Sequence, residues 1–167
     1  MGHEKLKATV VDSGPLIHLI DIACLRFLSI FEIIHLPGAV WFETVGKNRI
    51  SQKDLSTLTN IQRHSLPPLE VAQFIKENDL ITLHAGEQEC LYLCRQMGIY
   101  TLLTDDMAVR DAARRLKIVP VGSLGLVVSA YMRKGITLQE AERYLADLYD
   151  VSSLFVTRDI ADLAIKQ

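Results

Sequence analysis

The chain has 167 residues, 49% of them hydrophobic and only 7% aromatic, enough for one domain with a substantial aliphatic core. Charged residues make up 23% and no long polar tract occurs, which excludes an intrinsically disordered chain. A net charge of −2 excludes a global basic field for nucleic acid and leaves that role to a local patch.

In chain order, the opening MGHEKLKATVVDSG is charged and then strand-like, so it is not a secretory signal. Residues 8–11 read as a first strand that runs into Asp12-Ser13-Gly14-Pro15. A helix opens over 15–20, a short second helix covers 25–31, and 32–36 is a second strand. Helices are expected over 38–45, after Pro37, and over 51–64, which starts at the capping-type Ser51. Ser65-Leu66-Pro67-Pro68 breaks the pattern before a helix over 70–77.

Residues 80–83 read as a third strand, followed by a helix over 85–97 that Gly98 ends as a C-cap. A fourth strand over 100–103, a helix over 107–116 and a fifth strand over 118–121 follow. The tail adds helices over 124–133, over 137–149 with a Thr137–Glu140 capping box, and over 158–165. The longest uncharged run, from Ile118 to Met132, contains Pro120, Gly122 and Gly125 and is too short to span a bilayer. A cytoplasmic protein is expected. Cys24, Cys90 and Cys94 form no CxxC pair and read as reduced, buried thiols; Cys90 and Cys94, four apart on a helix, would otherwise make half a metal site.

Several of these strands are apolar throughout, as in a parallel sheet covered on both faces. Alternation with helices implies a single three-layer α/β/α sandwich around a five-stranded, mainly parallel sheet, with a core over about 6–135 and a helical extension over about 136–167. In such sheets a ligand lies beyond the carboxyl ends of the strands, at a topological switch point. Strand one delivers Asp12 to that edge and strand four delivers Asp105 and Asp106. Glu43 interrupts an apolar helix, and Glu87 stands in the first turn of another.

Each acid has an ordinary reading. Asp12 and Asp106 suit helix N-caps, Glu87 a first-turn acid, and Glu43 an i,i+4 partner of Lys47. Taken together they suit a divalent ion, because converging carboxylates otherwise have to take up protons. Mg²⁺ or Mn²⁺ prefers oxygen ligands and needs only one or two direct carboxylates. Five histidines are scattered without ligand spacing, with His84 read as a strand-end residue, and no GxGxxG or P-loop motif occurs.

The segments VVDSGPLIHL, LPGAVWFETV, HAGEQECLYLC, LLTDDMAVRDAARRL and VGSLGLVVSAYMRKG occur in that order. In this the chain resembles PIN-domain ribonucleases, in particular the toxin-like branch known as DUF3368. The tail LADLYDVSSLFVTRDIADLAI is similar to that branch's closing segment. The resemblance implies a sheet of order 3-2-1-4-5. It implies catalytic acids at Asp12, Glu43, Glu87 and Asp105, supported by Ser13 and Thr104, with Asp106 as a helix cap or water ligand in the metal site. The Glu at position 87 departs from the Asp of many relatives outside the branch.

That resemblance further implies Mg²⁺- or Mn²⁺-dependent endoribonuclease activity leaving 3′-hydroxyl and 5′-phosphate ends, a homodimer, and restraint by a small antitoxin protein. Lys47, Arg49 and Lys53 after Glu43, and Arg110, Arg114 and Arg115 after the acid pair, either steer RNA or form solvated helix faces. Two other readings stay open: a PIN fold that binds RNA or a partner without turnover, and a receiver-like phospho-acceptor. The latter would carry its double acid after strand one and a late Lys, which Val119-Pro120-Val121 lacks.

Overall fold

Val10, Val11, Leu102 and Leu103 have no exposed surface, and they set two strands side by side at the centre of a sheet. In the computed structural model, which describes residues 4–150, these strands are β1 (Leu6–Val11) and β4 (Thr101–Leu103). With β2 (Phe31–Pro37), β3 (Ile61–His64) and β5 (Val119–Val121) they form an all-parallel sheet of order β3-β2-β1-β4-β5. Helices cover both faces. From β1 the chain builds outward to β2 and β3, then returns to lay β4 and β5 on the other side. The switch point therefore lies between the ends of β1 and β4.

The helices are α1 (Ser13–Asp21), α2 (Gly38–Trp41), α3 (Gln52–Leu55), α4 (Pro68–Glu77), α5 (Ala85–Met97), α6 (Met107–Arg115), α7 (Ser123–Met132) and α8 (Leu138–Asp150). A 3-10 turn over Leu25–Ile30 precedes β2, and α2 continues into a π-helical turn over Phe42–Gly46. Gly98 caps α5 with φ +64°, and Thr137 and Glu140 form the reciprocal cap expected before α8. The predicted helix over 158–165 lies outside the described residues. Among those described, no helix is long and apolar enough to cross a membrane.

One strand is not where the sequence pattern put it. Residues 80–83 form a turn: Leu80 drops into the core, while Ile81 is 78% exposed. The Leu80 amide donates to the Ile75 carbonyl after Asp79 adopts a positive φ of 54°, so this segment is the stop of α4. The third strand comes instead from the second half of the predicted helix over 51–64. Ser51 does cap a helix, accepting from the Asp54 amide, but α3 lasts only one turn. Thr57, Thr59 and Asn60 favour non-helical backbone, and the Asn60 side chain donates to the carbonyls of Leu28 and Phe31. That pins the entry to β3, an edge strand whose polar Ile61-Gln62-Arg63-His64 carries little apolar signal. His64 then bonds His35 of β2 ring to ring at 2.7 Å.

At the opposite edge β5 contains Pro120. Val119 donates its amide to the Tyr100 carbonyl and Val121 accepts from the Thr104 amide, so the proline nitrogen between them faces away from the sheet. The three cysteines are free and buried, and burial pushes the Cys90 and Cys94 thiols up, as for packed hydrophobes.

Candidate metal-binding acid site

Asp12 leaves β1 at the switch point and caps α1. It is 4% exposed. Its Oδ1 accepts the Ser13 amide at 2.7 Å and its Oδ2 accepts the Thr104 hydroxyl at 2.9 Å. Its own amide donates to the Leu103 carbonyl, which fastens the end of β1 to the end of β4. Burial pushes the Asp12 carboxyl up to about 6; Glu87 and Glu43 push in the same direction, against the two hydrogen bonds. The three acids therefore share one electrostatic neighbourhood.

Glu43 reaches this neighbourhood from the π-helical turn, where one extra residue per turn redirects the side chains of α2. Its Oε1 accepts the Gly86 amide at 3.1 Å, at the positive end of α5. A Cβ at Gly86 would lie 2.6 Å from Oε2 of Glu43, so the absence of a side chain there makes room for the carboxylate. Glu87 folds back onto its own helix start, where Oε2 accepts the His84 amide at 2.8 Å. His84 is thus an exposed cap on α5 rather than the strand-end residue expected, since no strand precedes it.

Asp105 is brought to the same edge but bound differently. Its Oδ1 accepts the Ser123 amide at 2.7 Å, and its Oδ2 accepts the Ser123 hydroxyl at 2.6 Å and lies 2.7 Å from Nδ1 of His18. Both oxygens are engaged, tying the end of β4 to α1 and to the start of α7. Asp106 caps α6, its Oδ1 accepting the Val109 amide at 3.0 Å. Thr104 sits between the two strand ends, donating to Asp12 and accepting weakly from the Asp106 amide.

His18 and Ser123 were not among the residues singled out from sequence. The fold brings each to Asp105. His18 follows Gly14 by one helical turn and so shares its face, and both lie beside Asp105. Ser123 opens a helix directly after the strand adjacent to β4.

The basic candidates divide. Arg110 turns inward to donate to the Thr104 carbonyl at 3.1 Å, and Arg114 pairs with Asp111 at 2.9 Å. Lys47 does not pair with Glu43 but lies 5.8 Å from the Phe42 ring centroid, and Arg49 is exposed.

An all-carboxylate donor set of this kind suits Mg²⁺ or Mn²⁺. Asp12, whose carboxyl burial pushes up to about 6, is the group whose charge a dication would stabilise. Among the described residues no three His, Cys, Asp or Glu side chains stand in a ready metal cage; an ion that keeps several of its waters does not require one.

Compared with known protein families, residues 8–167 match DUF3368, described as a PIN domain. No curated protein matches the chain. PIN domains are generally nucleases and typically use divalent metal ions. The match runs through β1 to α8 and across the strand order, and by it the chain belongs to the DUF3368 family of PIN domains, a nuclease-type fold.

Proposed function

We propose that the chain is a metal-dependent endoribonuclease that hydrolyses RNA phosphodiester bonds, working in the cytoplasm as the toxin of a toxin–antitoxin pair. The observation that carries this reading is the buried Asp12, pushed up to about 6 with Glu43 and Glu87 beside it. Asp12, Glu43 and Glu87 would hold Mg²⁺ or Mn²⁺. When bound, such an ion lowers the pKa of water and offsets charge developing on phosphate oxygens.

The chain's own part begins with orientation. Ser13 and Thr104 hold the two oxygens of Asp12 in place, and the Gly86 and His84 amides hold one oxygen each of Glu43 and Glu87. Oε2 of Glu43 makes no hydrogen bond among the described residues, so it is the oxygen offered to a proton of the attacking water. Water adds to phosphorus as its proton passes to that oxygen, and the bond to the 3′ oxygen breaks. The departing 3′ alkoxide takes a proton from solvent water to become a hydroxyl, while Glu43 returns its proton to solvent. Asp105, with its oxygens on Ser123 and His18, positions the β4 end and α1, and Asp106 serves α6. A second copy of the chain and a small antitoxin complete the toxin reading.

Purified protein incubated with structured and unstructured RNAs, with Mg²⁺, Mn²⁺ or chelator, tests the reading beside Asp12→Asn. Cleavage that needs the ion and vanishes in the variant is expected; equal cleavage by Asp12→Asn would refute it. The alternative, a module that binds RNA or a partner without turnover, draws on the absence of a ready metal cage among the described residues. It predicts chelator-insensitive binding and no product.

A further inference from the structure

We propose that the exposed ring of Phe42 is a stacking platform for an unpaired nucleobase beside the acid site; the proposal rests on the ribonuclease reading above. Phe42 is 61% exposed and immediately precedes Glu43. Single exposed apolar residues are ordinary on protein surfaces, but this ring is fixed in a specific way. It lies against Gly46, where a Cβ would come within 2.9 Å of Cδ2, so the glycine leaves space for the ring. The Lys47 ammonium stands 5.8 Å from its centroid.

The preceding residue repeats the pairing. Trp41 carries the Arg63 guanidinium 4.4 Å from its ring centroid. Lys47, Arg49 and Arg63 are all exposed, and none belongs to an ion pair among the described residues. An exposed aromatic ring with an unpaired cation on it, next to a second such pair, fits a polyanion that also presents π-faces. Unpaired RNA offers both at once, whereas bases inside a duplex keep their faces stacked on one another. A hydrophobic protein surface would satisfy the ring and leave Lys47 and Arg63 without anionic partners. The π-helical turn then acts as a unit: Phe42 and Lys47 hold a nucleotide while Glu43, one residue along, faces the acid site.

The test measures fluorescence anisotropy of a labelled ten-nucleotide unpaired RNA and of a blunt hairpin duplex, with the full chain in chelator so that nothing is cut. Phe42→Leu keeps bulk and apolarity but removes the π-face. It should weaken binding of the unpaired strand about tenfold or more, leave duplex binding and the salt dependence unchanged, and be rescued by Phe42→Tyr. Equal affinity of Phe42→Leu and wild type for the unpaired strand overturns the platform. So does a Phe42→Leu defect that appears only as a change of oligomeric state in sedimentation, which would make the ring a protein interface. Failure of the wild type to cleave any RNA with Mg²⁺ or Mn²⁺ would instead remove the nuclease reading, and the binding comparison in chelator would still judge the platform.

Discussion

Strands β1 and β4 are neighbours and each ends in a carboxylate shielded from solvent, yet the two ends are held in opposite ways. Asp12 has one amide and one hydroxyl to offset its burial, with Glu43 and Glu87 close enough to raise its pKa. Asp105 has the Ser123 amide, the Ser123 hydroxyl and His18 on its two oxygens. A buried charge is tolerated when its hydrogen-bonding capacity is filled and is costly when it is not. The β4 end is therefore a joint whose hydrogen bonds are filled, and the β1 end keeps a carboxyl that burial pushes up.

The largest expected contrast is in turnover. Asp12→Asn should lower RNA cleavage at least about 100-fold without loss of the fold, whereas Ser123→Ala, which touches only the β4 joint, should act chiefly on stability. Initial rates on a defined RNA, beside circular dichroism, separate the two.

Next comes a pH effect in chelator. Asp12 binds its proton more tightly folded than unfolded, because its pKa rises from 3.8 to about 6. Its contribution is fully present below about pH 4 and is lost as pH rises through 6, by roughly 3 kcal/mol in all. Urea melts at pH 7.5 should therefore find Asp12→Asn more stable than wild type, with the gap closing near pH 4. Added Mg²⁺ should restore the wild type alone. An unchanged gap across that range would show that Asp12 is not strained by burial.

Smaller still, Ser123→Ala should cost about 1–3 kcal/mol at neutral pH, with or without the ion. The finest comparison pairs two glycines. In Gly86→Ala the new Cβ meets the flexible end of Glu43, 2.6 Å away. Stability should stay within about 1 kcal/mol, while Mg²⁺ affinity, followed by its thermal shift, declines. In Gly122→Ala the Cβ meets Oδ1 of Asp105 at 2.8 Å, an oxygen the Ser123 amide already fixes. That variant should lose more stability than Gly86→Ala.

The difference between the two ends also explains what sequence could disclose. Asp12 and Asp105 were legible because an apolar run ending in acid has one geometric outcome in a parallel sheet. Glu43 and Glu87 stood out as an acid in an apolar helix and a first-turn acid, but only the family resemblance gave them a shared catalytic role, since helix periodicity gives no hint of a π-helical turn. The partners of Asp105 were not, because His18 and Ser123 lie 87 and 18 residues away along the chain and nothing local distinguishes them. The misplaced third strand has a related cause. Leu80-Ile81-Thr82-Leu83 carries β-type residues but serves as a plug and turn, while β3 is a half-exposed edge whose placement depends on Asn60 side-chain bonds. Apolar content marks central strands well and edge strands poorly.

The outward-facing nitrogen of Pro120 has a consequence for self-association. A strand arriving alongside β5 would find one donor missing at the middle of that three-residue ladder, so lateral growth of the sheet is blocked on this flank. Copies of the chain that join must do so through side-chain surfaces or past β3, and the β5 flank resists the edge-to-edge stacking that leads to aggregates.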